Sequence, residues 1–148
     1  MAKKVRTGIE GSEFTEIGMS AQKKSDLEYF TSEQMKGLPF SEAVRVGRML
    51  YLSGQIGIDN SMKLVSGGIT AETRQAMENI KATLERYGSS LEHVIKVTVM
   101  LADMHEWAEM NKVYVTYFTE HLPARSAMGA NGLAFGARVE IECIAALR

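Results

Sequence analysis

TAETRQAMENIKATLERYGSSLEHVIKVTVML, residues 70–101, decides the fold class. Met77, Ile80, Leu84 and Tyr87 fall at i, i+3, i+7 and i+10 and line one apolar stripe of a helix. Thr70 is the expected N-cap, Arg86 suits the negative end of the helix dipole, and Gly88 is the expected stop. The β-branched run Val94 to Leu101 then reads as a strand. Outward from this unit, Asp103 and Glu106 form a capping-box pattern opening a second helix, with Trp107, Met110, Tyr114 and Phe118 as its buried stripe. His121-Leu122-Pro123 ends that helix. A short strand reaches about Met128, and a last strand runs from Arg138 to Ala146. On the N-terminal side, Leu27 to Thr31, Ser41 to Val46 and Met49 to Gln55 read as strands, with Gly47-Arg48 as a hairpin turn. The order β-β-β-α-β-α-β-β predicts an α+β domain, one mixed sheet with both helices on one side.

Residues 1–25 differ from the rest. Lys3, Lys4, Arg6, Lys23 and Lys24 stand among sparse apolar residues without period, so the stretch reads as a tail or arm, with Met19 a second candidate start. The remaining residues, 26–148, fit one domain, and 148 residues in all exclude separate cofactor and substrate lobes. A formal net charge of −1 argues against a general nucleic-acid binder. The single cysteine, Cys143, allows no intrachain disulfide. Without a signal-like apolar segment or a spanning run, the expected location is cytoplasmic.

Chemistry-bearing motifs are few. His93, His105 and His121 lack metal-ligand spacing, and neither a phosphate-binding glycine loop nor a nucleophile elbow is present. Cys143 points with Val139, Ile141 and Ala145 toward the helices and reads as a small hydrophobe. The opposite sheet face carries Tyr51, Ser53, Gln55, Lys96, Thr98, Glu140, Glu142 and Ile144. That mixture fits a solvated face, and its apolar members favour a subunit interface. Asn111, at the edge of the second helix's stripe, fits an exposed edge and a pocket mouth equally well. Arg125 offers a rigid fork for carboxylate or phosphate, but on spacing alone an ordinary pairing with a Glu is the simpler reading.

Six segments together narrow this. They are Leu52-Ser53-Gly54-Gln55-Ile56-Gly57, Thr73-Arg74-Gln75-Ala76-Met77-Glu78-Asn79-Ile80, Val94-Ile95-Lys96-Val97-Thr98-Val99, Asn111-Lys112-Val113-Tyr114, Pro123-Ala124-Arg125-Ser126 and Val139-Glu140-Ile141-Glu142-Cys143-Ile144-Ala145. In order and spacing, over about Leu27 to Leu147, the chain resembles the Rid family (YjgF-type reactive intermediate deaminases). The resemblance implies a chorismate-mutase-like fold: a six-stranded mixed sheet backed by two helices, assembled as a homotrimer with active sites in clefts between subunits. It implies hydrolysis of reactive enamines and imines of the 2-iminobutanoate/2-iminopropanoate type to 2-keto acid and ammonia, with neither metal nor organic cofactor. The partners implied are a small carboxylate-bearing imine and further copies of the chain.

By position, the resemblance makes Arg125 the clamp on the substrate carboxylate and Glu140 the general base that holds the attacking water, although Glu142 shares its strand face. Ser53 and Asn111 match pocket-lining positions, Gly54 allows close backbone approach, and Ala127 presents backbone groups to the ligand. The chain departs from the family in two places. Leu38-Pro39-Phe40 replaces the usual Gly-Pro-Tyr, so Phe40 keeps the ring without the phenol. Ala127 stands where Cys is common. The loop Met128-Gly129-Ala130-Asn131-Gly132 differs as well. These changes leave open a bulkier or dicarboxylate imine, 2-aminomuconate among them, and a trimer that binds small carboxylates without turnover. The ribonuclease label carried by some family members finds no basic stripe to support it.

Overall fold

Two adjacent glycines, not Thr70, start the first helix. In the computed structural model, which describes residues 27–148, α1 spans Gly68–Arg86. Gly67 and Gly68 take φ of 116° and 71°, a turn that only glycine enters without strain, so the helix begins before Thr70. Its end is as expected. Gly88 has φ 89°, and Ser89 N–H closes on Leu84 C=O at 2.8 Å, a Schellman-type cap. The arm expected over residues 1–25, with Met19, lies outside the described residues.

The sheet contains β1 (Leu27–Phe30), β2 (Ala43–Val46), β3 (Met49–Leu52), β4 (Gln55–Ile56), β5 (Val94–Leu101), β6 (Ala124–Gly129) and β7 (Val139–Ala146). Its order is β1-β2-β3-β7-β5-β6, with β4 also on β7, and only β5 and β6 run parallel. Both helices cover one face. Leu50, Val97, Val99, Val139 and Ile141 on the sheet and Ala76, Met77, Ile80 and Leu84 on α1 are essentially fully buried.

The expected third strand is broken, so six strands become seven. The step from Tyr51 to Gln55 faces the shorter step from Ile144 to Ile141, which leaves one extra residue at Ser53-Gly54. One extra residue reverses the alternation. Gln55, expected beside Tyr51 on the open face, is therefore buried on the helix side.

The second helix also departs in detail. Asp103 does cap, accepting His105 N–H at 2.9 Å, but it opens a 3-10 turn, and α2 spans only Trp107–Tyr114. Glu106 does not close the capping box; it pairs with Arg138 instead, at 2.5 Å. Met110, Tyr114 and Phe118 are buried as expected. Trp107, the first residue of α2, is 41% exposed.

Glu42, which no sequence pattern marks, ties the β1–β2 region to α1. Its carboxylate accepts from Arg86 Nη1 and Tyr87 OH at 2.7 Å each, and from Ser32 N–H and Thr83 Oγ1 at 3.2 Å each. Burial alone would raise its pKa. The hydrogen bonds from Tyr87 and Ser32 and the charge of Arg86 outweigh burial and hold it below its ordinary value. A depressed carboxylate contributes stability above its unfolded pKa and loses it as pH falls through the folded one. Glu42→Gln should therefore cost about 1.5–3 kcal/mol at neutral pH. Urea denaturation at neutral and acid pH should show that difference shrinking on acidification; a pH-independent difference would contradict the assignment.

Candidate active site

Arg125 sits on edge strand β6 in register with Val97, which turns its side chain to the helix face. There α2 presents Trp107, Asn111 and Tyr114 at i, i+4 and i+7, one side of a helix. Arg125 Nη1 donates to Asn111 Oδ1 at 2.7 Å. The guanidinium carbon lies 4.7 Å from the Tyr114 ring centre and 5.8 Å from that of Trp107. Stacking on Tyr114 fixes the plane of the fork, and Asn111 fixes its rotation. Among the described residues the ion-paired arginines are Arg45, Arg86 and Arg138. Arg125 has an amide for a neighbour instead, which leaves its remaining donors for an anion and sets aside the ordinary Arg–Glu pair. Burial pushes the Tyr114 phenol up to about 12, so the platform is neutral.

Glu140 occupies a second surface. It pairs across the sheet with Met100 and Ile56 and points to the face away from the helices. Glu72 of α1 accepts Arg138 N–H at 2.7 Å and anchors the entry to β7 just before it. The Glu140 carboxylate lies against Gly54, where a methyl group would overlap Oε1 and come within 2.8 Å of Cδ. The bulge at Ser53-Gly54 brings this glycine under the carboxylate, and a side chain there would push the Glu140 carboxylate out of its present position. Burial, aided by the charge of Glu142, raises the Glu140 pKa above the ordinary carboxylate value. A carboxylate of this kind is a better proton acceptor than a solvated one.

Around Glu140 is a cleft of about 200 Å3, lined also by Phe40, Met35, Leu38, Met62 and Phe135. The other sequence-predicted residues are placed as follows. Ser53 adjoins Gly54, but its hydroxyl donates to Ser41 C=O at 2.6 Å, so it serves the bulge first. Ala127 shares the helix-side face of β6 with Arg125 and packs against the core. Cys143 is buried and its thiol is pushed up to about 12, chiefly by burial, so it is no nucleophile at neutral pH.

The predicted residues thus form two groups: Phe40, Gly54 and Glu140 at one cleft, Arg125 and Asn111 at another surface. Arg125 and Glu140 lie on opposite faces of the sheet with β5 between their strands. One small molecule cannot touch both within one chain. Sequence reasoning missed Met62 and Phe135 in the cleft and Trp107 beside Arg125. The spacing of Trp107, Asn111 and Tyr114 held a usable signal for Trp107; the other two carry no local motif.

Comparison with known proteins adds a family. A family model described as Endoribonuclease L-PSP matches residues 32–147. The chain is 46% identical over 108 residues to the 2-iminobutanoate/2-iminopropanoate deaminase of Mus musculus, covering 72% of this chain and 80% of that one. It is similar in structure to yeast Mmf1, with a TM-score of 0.77 and 35% identity over 82% of this chain and 99% of that one. The Escherichia coli YjgF gene product gives a TM-score of 0.75 and 31% identity, again covering 82% and 99%.

Proposed function

The chain belongs to the L-PSP (Rid/YjgF) family, and on that premise we propose that it hydrolyses 2-imino acids to 2-keto acids and ammonia. The observation that carries the proposal is an Arg125 oriented by Asn111 and Tyr114 with no carboxylate against it among the described residues; the half-buried Glu140, with its raised pKa, supplies a base on the other face. The substrate's two reactive features match them: a carboxylate for the fork and an electrophilic C=N carbon for a water held by the base.

Because the two groups face opposite ways, the reading requires two copies of the chain at each site. A homotrimer meets that need: its clefts join the Arg125 surface of one protomer to the Glu140 cleft of the next. The open sheet face supports the assembly. Tyr51, Lys96, Thr98, Glu142 and Ile144 line a hollow of about 250 Å3 there, and Tyr51 and Met128 are exposed large apolar residues on it. Among the described residues no helix is long and apolar enough to cross a membrane. A cytoplasmic location remains part of the proposal, and the near-neutral charge gives no support to a nucleic-acid partner.

In the proposed step, Glu140 takes a proton from water as the water oxygen bonds to the imine carbon. The C=N π pair moves to nitrogen, which takes the proton from Glu140, giving a neutral carbinolamine and restoring the carboxylate. Glu140 then takes the hydroxyl proton and passes it to the amino nitrogen as the C–N bond breaks, which leaves the keto acid and ammonia with no net change in protons. Arg125 and Asn111 hold the carboxylate throughout, so most of the acceleration comes from orientation. The test is to generate 2-aminoacrylate with a serine/threonine dehydratase and follow decay of its imine. Accelerated decay supports the reading. Decay at the uncatalysed rate for this and larger imines contradicts it.

A further inference from the structure

The step just described uses Glu140, Gly54, Arg125 and Asn111 and leaves the apolar end of the Glu140 cleft without a role. We infer that this end receives the substrate's side chain, and that the side chain is large and apolar, as in imines derived from the longer aliphatic or aromatic amino acids. The inference rests on the imine-hydrolase reading and specifies its substrate class.

Three observations carry it. The first is size. The cleft is about 200 Å3, and a protein cavity of roughly 150 Å3 lined by Leu, Ile and Phe takes up benzene. The methyl or ethyl group of the substrates in the relatives' names would fill a small part of the cleft as one chain forms it. The second is chemistry. Met35, Leu38, Phe40, Met62 and Phe135 line this end, and among the described residues Glu140 is the lone ionisable side chain in the lining. A second substrate carboxylate would meet that negative charge with no cation beside it, which disfavours dicarboxylic imines.

The third is backbone strain. Met62 and Phe135 are the non-glycine residues with positive φ among the described residues, at 60° and 58°, and both line this cleft. For bulky side chains that region is costly, and such residues cluster where the geometry serves a ligand. Phe135 is 71% exposed, and Leu38 and Phe40 are also exposed, so none of these groups is there to fill the core. Phe40, a ring without a hydroxyl, continues the same apolar wall.

The test is a panel of imines made in situ by amino-acid oxidases from alanine, 2-aminobutyrate, leucine, methionine, phenylalanine and glutamate. Imine loss is followed in competition with semicarbazide. The leucine- or phenylalanine-derived imine should show kcat/KM about tenfold or more above the alanine-derived one, with the glutamate-derived imine slowest. Phe135→Gly and Met62→Gly, which relieve the backbone strain as they remove the side chain, should each lower the large-to-small ratio about tenfold. Turnover that favours the alanine-derived imine, or a ratio unmoved in both variants, overturns this inference and leaves the hydrolase reading standing. No turnover of any imine by the wild-type protein overturns both.

Discussion

Arg125→Ala should lose imine hydrolysis by a factor of roughly thirty to several thousand in kcat/KM, the effect of removing one partner from a desolvated charge pair. The substrate carboxylate would then lie in the cleft without its cation, and the imine carbon would lose the geometry that presents it to water. The fold should survive. Arg125 is half-buried on an edge strand, and its protein hydrogen bond is to Asn111, which can turn to solvent. Arg125→Lys should recover little. An ammonium cannot make the paired bonds of the fork or stack flat on Tyr114, whose ring lies 4.7 Å from the guanidinium carbon. Circular dichroism together with the dehydratase-coupled assay checks both statements. An Arg125→Ala protein with wild-type rates would remove the clamp from the account.

Glu140→Gln should lower kcat by about 10² to 10⁴, the range expected when a positioned general base is removed. The amide matches the carboxylate in size, so the contact with Gly54 survives and the loss reports chemistry rather than packing. The pH profile separates this role from a structural one. Glu140 must be ionised to accept a proton, and burial and Glu142 raise its pKa. Activity in the wild type should therefore fall on acidification through a limb above the ordinary carboxylate range. Glu142→Gln removes one cause of the elevation and should move that limb to lower pH. A limb that stays in place would show that another group titrates.

The parts of the fold that were legible in the sequence are those set by long periodic segments. The stripe Met77-Ile80-Leu84 and the run Val94–Leu101 each repeat one signal over several turns or residues, and both elements form where expected. The parts that were not legible depend on neighbours. The alternation of Leu50-Tyr51-Leu52-Ser53 continues without interruption into Gly54-Gln55, so the bulge that buries Gln55 exists only in the register with β7. Thr70 is a good cap by residue type, yet two glycines upstream permitted an earlier start. Trp107 follows the period of α2 but, at its first turn, stays 41% exposed beside Arg125.

The candidate site divides in the same way. Arg125 and Glu140 came from resemblance rather than spacing, and their placement on opposite faces follows from strand order, which no single segment encodes. Glu42 reads as an ordinary acidic residue until α1 brings Thr83, Arg86 and Tyr87 to it. The positive φ of Met62 and Phe135 is imposed by the surrounding chain, so nothing local distinguishes these two residues.

If Arg125 and Glu140 act on one substrate from different copies of the chain, two variants that are inactive alone should restore activity when mixed. Arg125→Ala and Glu140→Gln proteins, unfolded together in equal amounts and refolded, would assort at random. With one site per interface, about a quarter of the sites would regain both groups. Imine hydrolysis should recover toward that fraction from two preparations that are each inactive. A mixed assembly that forms, as seen by native mass spectrometry, and stays as inactive as its parents would contradict it.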